Sequence, residues 1–435
     1  MKMDDLAGKK IVIWGTGREG QSVYHLIRRH HPDVSIVFVD ENAEATLLSI
    51  EERLVTTDIS KALNDADVIV KSPGVSLYHP EIVRAKARGA GVTSLMNLWF
   101  SLPRIGKTVC ITGTKGKSTT AALLAHVLRS LGHGVSLVGN IGQAAGTEEN
   151  TDAAFFVVEM SSYQAADFES GCDIGVLTSL YPEHLDWHKS LAQYYKDKTR
   201  MLHHAQTRIV SAQCKDVLAE QAIDLPPYIT ANAPEGFHSR EGRIYNGAEI
   251  LPDLQNAYLC RAHNLVNVCT VLTVATALGL EPHAALETMR DFQGLPHRQQ
   301  ELGTKDGILY VDDSISTTPQ TTIFALENYK NRPISVIVGG QDRGVDYTPL
   351  VRYITEGNVH RIICMGPSGQ RIFADLEKNG RANLFTAENM EEAVRLAKDG
   401  TPDNGVILLS PAAPSYGMFK NFIERGQAFA RVCGF

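Results

Sequence analysis

The sequence lacks paired cysteines. Its seven cysteines, Cys110, Cys172, Cys214, Cys260, Cys269, Cys364 and Cys433, are odd in number, scattered, and never fall in a C-x-x-C pair. That pattern argues against a disulfide framework and against a zinc or iron–sulfur centre, and it fits a reducing compartment, the cytoplasm. No run of about 18 apolar residues is present either, so no membrane span is expected. The opening residues, MKMDDLAGKK, turn acidic at once and lack the apolar core of a signal segment. Positive charge is not in excess: 42 Lys and Arg stand against 49 Asp and Glu, a net charge of -7. Neither a nucleic acid nor an anionic membrane is therefore expected as partner. Basic and glycine-rich loops still suit a small anionic substrate. Low-complexity tracts and short tandem repeats are also missing.

What is present fits an α/β protein of full-sized cores, 43% hydrophobic and 21% charged. At roughly 150 residues per domain, 435 residues suggest three domains. KKIVIW at 9–14, SIVFVD at 35–40 and ADVIVKSPG at 66–74 read as strands, with a helix from Gln21 to His30. Strands alternating with helices predict a parallel sheet. A second unit opens with KTVCITGTKGKSTT and continues through AFFVVEMSS at 154–162 and IGVLTSL at 174–180 to a helix near 190–205. A turn-rich stretch at 225–255 holds short strand candidates, and a long helical pattern covers 262–280. The strand pattern restarts with ILYVDDS, ISVIVGG at 334–340, HRIICMG at 360–366 and GVILLS at 405–410. The expected division is 1–93, 94–299 and 300–435.

Gly15, Gly17 and Gly20 spell G-x-G-x-x-G between a strand and a helix, with Thr16 inside the loop, and Asp40 closes the next strand. This is the dinucleotide fingerprint in its proper setting. Glycines let backbone approach a diphosphate, and the helix N-terminus favours its charge. NAD and a UDP-linked substrate both satisfy that physics, and a structural tight turn remains open. Ser72, Pro73 and Gly74 form a second turn at a strand end, equally readable as a plain turn.

Gly113, Thr114, Lys115, Gly116, Lys117, Ser118 and Thr119 follow a strand and open a helix. Lys117 suits the β- and γ-phosphates of ATP, and the Ser118 hydroxyl suits Mg2+. The spacing is shorter than the common phosphate loop, because Ile111 stands where the first glycine would be. Glu159 ends the strand FFVVE as a metal-facing carboxylate would. Glu183, His184, Asp186 and His188 follow another strand and form an active-site candidate.

TGTKGKSTTA, GNIG at 139–142, EMSSYQ at 159–164, HLDWH at 184–188, HNLVN at 263–267, GLPHR at 294–298 and DDS at 312–314 occur in one order. Together they resemble the Mur ligases of peptidoglycan synthesis, and residues 409–430 look like the C-terminal signature of the glutamate-adding branch. The resemblance spans all three units. It implies a Rossmann-like first domain binding a UDP-sugar, a central phosphate-loop ATPase domain, and a Rossmann-like third domain binding the amino acid. It further implies ATP and two Mg2+ ions: Ser118 and Glu159 would hold one, and His184 with Lys198 the second. Lys198 matches a lysine that the family carbamylates, although by itself it reads as a solvated surface side chain. Asn267 would meet adenine, and Arg298 and Asp313 would contact phosphate and ribose; without the family, Asn267 and Arg298 read as a polar helix position and an ion-pair partner. Asn140, Ser161, Ser162 and Gln164 would line the path of the UDP-substrate.

The implied reaction is ATP-dependent coupling of glutamate to UDP-N-acetylmuramoyl-L-alanine through an acyl phosphate. The amino-acid side departs from the D-glutamate pattern. Ile315 stands at the lysine position of DSKAT, Arg343 replaces a second lysine, and Lys115 replaces a phosphate-loop asparagine. Thr317, Ser415 and Phe422 remain as candidates for a glutamate-sized pocket. These departures resemble the L-glutamate-adding branch, whose product needs a later epimerase. An ordinary D-glutamate ligase is the alternative. An NAD-dependent oxidoreductase would leave Lys117 and Ser118 without a role, and a non-enzymatic nucleotide sensor would not turn over ATP.

Overall fold

Three aliphatic strands that each run into a glycine turn, KIVIW, KTVCIT and ISVIVG, lie inside three parallel or mostly parallel sheets. The computed structural model describes residues 1–40, 55–141, 144–146, 153–357 and 359–435. Two compact units divide the chain, Met1–Phe292 and Gln293–Phe435.

The first sheet contains β1 (Lys10–Trp14), β2 (Ser35–Val39), β3 (Val55–Thr56), β4 (Val68–Lys71) and β5 (Gly91–Thr93). Their order is β3-β2-β1-β4-β5, and every pair is parallel. Winding reverses between β1 and β4, so the loops after those strands open side by side, where ligands of such sheets gather. The helix Arg18–His30 begins three residues before the expected start, because Gly17 already serves as its N-cap. Glu19 in its first turn and Arg28, Arg29 and His30 in its last complement the helix dipole.

The second sheet contains β6 (Lys107–Thr112), β7 (Val135–Gly139), β8 (Phe155–Glu159), β9 (Cys172–Leu177), β10 (Ala205–Ser211) and β11 (Ile229–Ala231), ordered β11-β10-β9-β6-β8-β7 and all parallel. The helices Lys117–Ser130 and Ala262–Ala277 share one core through Leu123, Leu124, Leu128, Val268 and Leu272. Each such buried side chain contributes about 1.5–3 kcal/mol, which anchors the helix that carries the phosphate loop. Gly279, at φ 82, lies two residues beyond the longer helix, which stops before the expected residue 280. The turn-rich stretch yields β11 and a three-stranded antiparallel sheet of β12 (Phe237–Arg240), β13 (Arg243–Asn246) and β14 (Glu249–Ile250).

The second unit holds β15 (Gln300–Lys305), β16 (Ile308–Asp312), β17 (Ile334–Gly339), β18 (Val359–Met365), β19 (Leu384–Ala387) and β20 (Val406–Leu409), ordered β15-β16-β20-β17-β18-β19. Only β15 is antiparallel. The sequence reading missed β15, a polar edge strand with an irregular register beside Gly303. Its signal was the turn Asp306-Gly307, both at positive φ, which is a hairpin signature. Among the described residues no helix is long and apolar enough to cross a membrane.

Candidate active site

Leaving β6, the backbone turns through Gly113 and Gly116, at φ 146 and 84, and the helix starts at Lys117. A Cβ on Gly113 would lie 2.1 Å from Thr178 Oγ1, and one on Gly116 would lie 2.6 Å from Asn267 Oδ1. Glycine therefore lets the loop sit low beside β9 and the Asn267 helix. Lys115 N–H donates to Ser179 Oγ at 2.7 Å, Thr178 Oγ1 donates to the Lys115 carbonyl at 2.6 Å, and Lys117 Nζ donates to the Thr114 carbonyl at 2.9 Å. Thr114 Oγ1 lies 2.9 Å from Tyr194 OH, and Thr119 is buried in the first helical turn. Backbone amides at a helix start make this an anion cradle. Asn267 packs beneath it, accepting from Thr120 Oγ1 at 3.3 Å.

Glu159 closes β8 beside the loop and is fully buried. Its Oε1 accepts from Ser118 Oγ at 3.1 Å and from Asn140 Nδ2 at 3.2 Å. Its Oε2 is buried without a hydrogen-bond partner among the described residues. An unpartnered buried carboxylate oxygen is costly, and a hard divalent cation with oxygen ligands would satisfy it. Ser118 and Glu159 thus fit Mg2+. Among the described residues no three His, Cys, Asp or Glu side chains converge on a metal-sized point, so the Ser118 hydroxyl and substrate oxygens belong to the expected ligand set.

Lys198 corrects the reading of a solvated lysine. Only 2% of it is exposed, and its Nζ donates to the Gly113 carbonyl at 2.7 Å. The helix Leu191–His203 turns this face inward, with Tyr194, Tyr195, Met201 and Leu202. Burial, and then the nearby Lys117 charge, hold the Lys198 amine well below the usual lysine range. His184 stands at the N-terminal end of a one-turn helix, Leu185–His188, which has left-handed residues at both ends, His184 at φ 56 and Lys189 at φ 70. Non-glycine residues held there are strained by the surrounding structure. Burial and the Lys198 and Lys117 charges lower the His184 imidazole, against the opposing effect of Glu183. Lys115 Nζ donates to Glu183 Oε1 at 2.7 Å, tying the phosphate loop to the His184 turn.

In the first sheet, Gly15 lies at φ 112, and a Cβ on it would lie 2.4 Å from Ser72 Oγ, so the two loops touch. Thr16 is buried and donates to Asp40 Oδ2 from its amide at 2.9 Å and its hydroxyl at 2.7 Å. Ser161 and Gln164 form a capping box, and Gln164 Nε2 reaches Glu19 Oε1 at 2.7 Å. Burial pushes the Glu19 carboxyl up to about 7, although Arg18 and Lys71 oppose it. Gly142 of GNIG lies outside the described residues.

The second unit gathers its candidates at one end of its sheet. Asp313 follows β16, Arg343 follows β17 and Ser415 follows β20. Asp313 accepts from Gln299 N–H at 3.1 Å and Ser410 Oγ at 2.7 Å, and burial raises its carboxyl to about 6. Buried Arg425 clamps two of these loops, donating to the Ser314 carbonyl at 2.8 Å and the Ala413 carbonyl at 3.0 Å. Gln341 N–H donates to the Pro414 carbonyl at 2.9 Å, joining the third. Arg343 donates to Gln341 Oε1 at 3.1 Å and lies 5.7 Å from the Tyr416 ring centroid. Thr317 and Phe422 are half-buried, and the Phe422 carbonyl accepts from Ser314 Oγ at 2.8 Å. Arg298 is half-buried beside His297, whose Nδ1 is 2.6 Å from Asp312 Oδ2.

Known families match along the chain: a MurD-like N-terminal domain at residues 9–94, a Mur ligase middle domain at 111–231, and a Mur ligase glutamate ligase domain at 297–413. A UDP-N-acetylmuramoyl-L-alanine--L-glutamate ligase of Xanthomonas oryzae pv. oryzae is 38% identical over 454 residues, covering 100% of this chain and 97% of that protein. The chain belongs to the Mur ligases. A relative of the same printed name from a Micromonospora species is 37% identical, covering 99% of this chain and 98% of its own. The crystal structure of a UDP-N-acetylmuramate-alanine ligase from Thermotoga maritima shares the fold, with a TM-score of 0.58, 20% identity, and coverage of 97% of this chain and 98% of that one. This Mur ligase is accordingly an ATP-dependent ligase of three-domain α/β architecture.

The structure brings Gly113–Thr119, Glu159, Asn140, Lys198 and Asn267 around one phosphate loop, and the 15–17 and 72–74 turns around one switch point. Sequence reasoning missed Lys71, Tyr78, Asp167, Asp197 and Arg425. Lys71 is buried 3.5 Å from Asp167, and Asp197 joins His188. The signal for Lys71 was a cation ending the otherwise apolar strand VIVK.

Proposed function

We propose that this Mur ligase joins L-glutamate to UDP-N-acetylmuramoyl-L-alanine, with ATP as the activating substrate, in the cytoplasmic synthesis of peptidoglycan precursors. The observation that carries this reading is end-to-end likeness to relatives named for that ligation. Residues 1–93 would bind the UDP-substrate, 94–299 ATP, and 300–435 the amino acid. The L isomer is favoured by the relatives' names and by Ile315 and Arg343 on the amino-acid side. An L-glutamyl product implies a downstream glutamate epimerase.

The chemistry follows from charge. The alanine carboxylate attacks the γ-phosphate of ATP, giving an acyl phosphate and ADP. The amine of glutamate then attacks the acyl carbon, and phosphate leaves. Lys117 and the loop amides hold the ATP phosphates and offset the repulsion between two anions. Ser118 and Glu159 would hold one Mg2+, and His184 with a carbamylated Lys198 a second. Bound there, Mg2+ supplies phosphate neutralisation and in-line orientation. A buried amine of depressed basicity, beside the phosphate loop, is suited to carbamylation, which exchanges a cation for an oxygen-donating anion. Asn267, Arg298 and Asp313 are assigned to ATP. Gly15, Thr16, Gly17, Asp40 and the 72–74 turn, with Asn140, Ser161, Ser162 and Gln164, are assigned to the UDP-substrate. Thr317, Arg343, Ser415 and Phe422 are assigned to glutamate.

ADP release measured with UDP-N-acetylmuramoyl-L-alanine and a panel of L- and D-amino acids tests the proposal. Turnover should require both substrates and favour L-glutamate. A higher kcat/KM with D-glutamate would reverse the isomer assignment and leave the ligation intact. Calorimetry should show binding of the UDP-substrate and none of NAD.

A further inference from the structure

Half-buried Tyr78 and buried His188 and Asp197 form an array that the reaction above does not use. His188 Nδ1 lies 2.6 Å from Asp197 Oδ2, and its Nε2 lies 3.0 Å from Ser162 Oγ. Tyr78 OH donates to Asp197 Oδ1 at 2.7 Å, and Gln193 Nε2 donates to the same oxygen at 2.7 Å. The carboxylate only accepts, so it holds the proton on Nδ1. These contacts have the connectivity of a hydrolytic serine triad. Yet Ser162 and His188 are buried, and Tyr163 stacks on Trp187 and His188 at centroid distances of 4.8 and 5.7 Å. The serine hydroxyl is enclosed against His188 and not presented as an attacking group, so the array is not a nucleophilic centre.

Its position in the fold gives it another role. Tyr78 lies on the chain that leaves the Ser72–Gly74 turn of the first sheet. The same chain is fixed twice more to the His184 turn: Trp187 Nε1 donates to the Pro73 carbonyl at 3.0 Å, and Ser76 Oγ donates to the Trp187 carbonyl at 2.8 Å. Asp197 directly precedes Lys198, whose Nζ meets Gly113 of the phosphate loop. Asp197 therefore receives hydrogen bonds from the first-sheet loop and from the His184 turn on the helix that carries Lys198. Charge-assisted bonds of this kind, partly or fully withdrawn from water, fix rotamers and element positions.

We propose that Tyr78, Asp197 and His188 are positioning residues, which transmit the placement of the 72–78 loop to Lys198 and His184. Ordering of that loop by the UDP-substrate then prearranges the phosphate-transfer centre before ATP is attacked. The inference rests on the proposed roles of Lys198 and the 72–74 turn.

The test uses the full chain with UDP-N-acetylmuramoyl-L-alanine, ATP, Mg2+ and L-glutamate, with folding checked by thermal melting. Tyr78→Phe removes one donor and is expected to lower kcat about 10- to 100-fold, as loss of a partner behind a ligand does, with little change in either nucleotide's KM. Asp197→Asn serves the same purpose if Tyr78→Phe does not fold. His188→Asn, which keeps a donor near Nδ1, should retain more activity than His188→Phe. In Lys198→Ala enzyme supplemented with acetate, Tyr78→Phe should cost little more, because residues acting through one another are non-additive. Wild-type kcat in both Tyr78→Phe and Asp197→Asn would overturn the inference. So would an equal loss from Tyr78→Phe with and without Lys198. Full unaided activity of Lys198→Ala alone would instead overturn the reading of Lys198 beneath it.

Discussion

Lys198 Nζ lies 2.7 Å from the carbonyl oxygen of Gly113, so a buried lysine amine touches the first residue of the phosphate loop. An ammonium group is strongly hydrated, and removal from water disfavours its charged form. Such a side chain is retained at a cost, and its hydrogen bond falls on the phosphate loop.

Lys198→Ala should be nearly inactive in ligation and partly rescued by acetate or formate, which can occupy a carbamate's place. Growth in 13C-bicarbonate should give a carbamate resonance in the wild type that is missing from the variant. Full activity without rescue would show that the buried amine is structural.

Lys117→Ala should abolish ligation while preserving the melting temperature. Loss of one cationic donor to transferring phosphate is worth roughly 3–4 kcal/mol, two to three orders of magnitude in rate. Retention of more than about a tenth of wild-type ADP release would sink the phosphate-loop assignment.

Arg343 offers a planar fork for a carboxylate, braced by Gln341 and Tyr416. Lysine in its place gives a point charge. Arg343→Lys should lower kcat/KM for L-glutamate about tenfold, in line with the roughly 1.5–3 kcal/mol of a hydrogen bond to a charged group. KM for ATP should stay constant. An unchanged kcat/KM for L-glutamate would remove Arg343 from the amino-acid site.

Glu19 supplies a pH-dependent test of stability. Its folded carboxyl titrates at about 7, against an ordinary value of 4.5. Between those values the folded state keeps a proton that the unfolded chain releases. Stability therefore falls as pH rises through that window, and the full cost is present above it. Glu19→Gln keeps an acceptor for Gln164 and removes the charge. At pH 8 it should stabilise the protein by on the order of 2 kcal/mol, discounted for partial exposure. The gain in melting temperature should vanish towards pH 4.5. A gain independent of pH would place the effect elsewhere than in ionisation.

The sequence by itself determined the fold class, the phosphate loop and the family. Those features are local or ordered along the chain: an aliphatic strand, glycines where a side chain would strike Thr178 or Asn267, and a helix start at Lys117 are written in consecutive residues. It also named Glu159, because a carboxylate ending an apolar strand stands out. Tertiary structure alone decided which charged residues are buried. Lys198 reads as solvated because its helix carries many polar residues, and only packing against the phosphate loop turns it inward. His188 and Asp197 are nine residues apart, and Tyr78 is 119 residues from Asp197. The Tyr78 pairing depends on segments from two sheets meeting, which no local pattern encodes. Lys71 with Asp167, and Arg425 with the Ser314 and Ala413 carbonyls, likewise exist only after distant segments are brought together, because ion-pair and hydrogen-bond partners are chosen by distance in space and not along the chain.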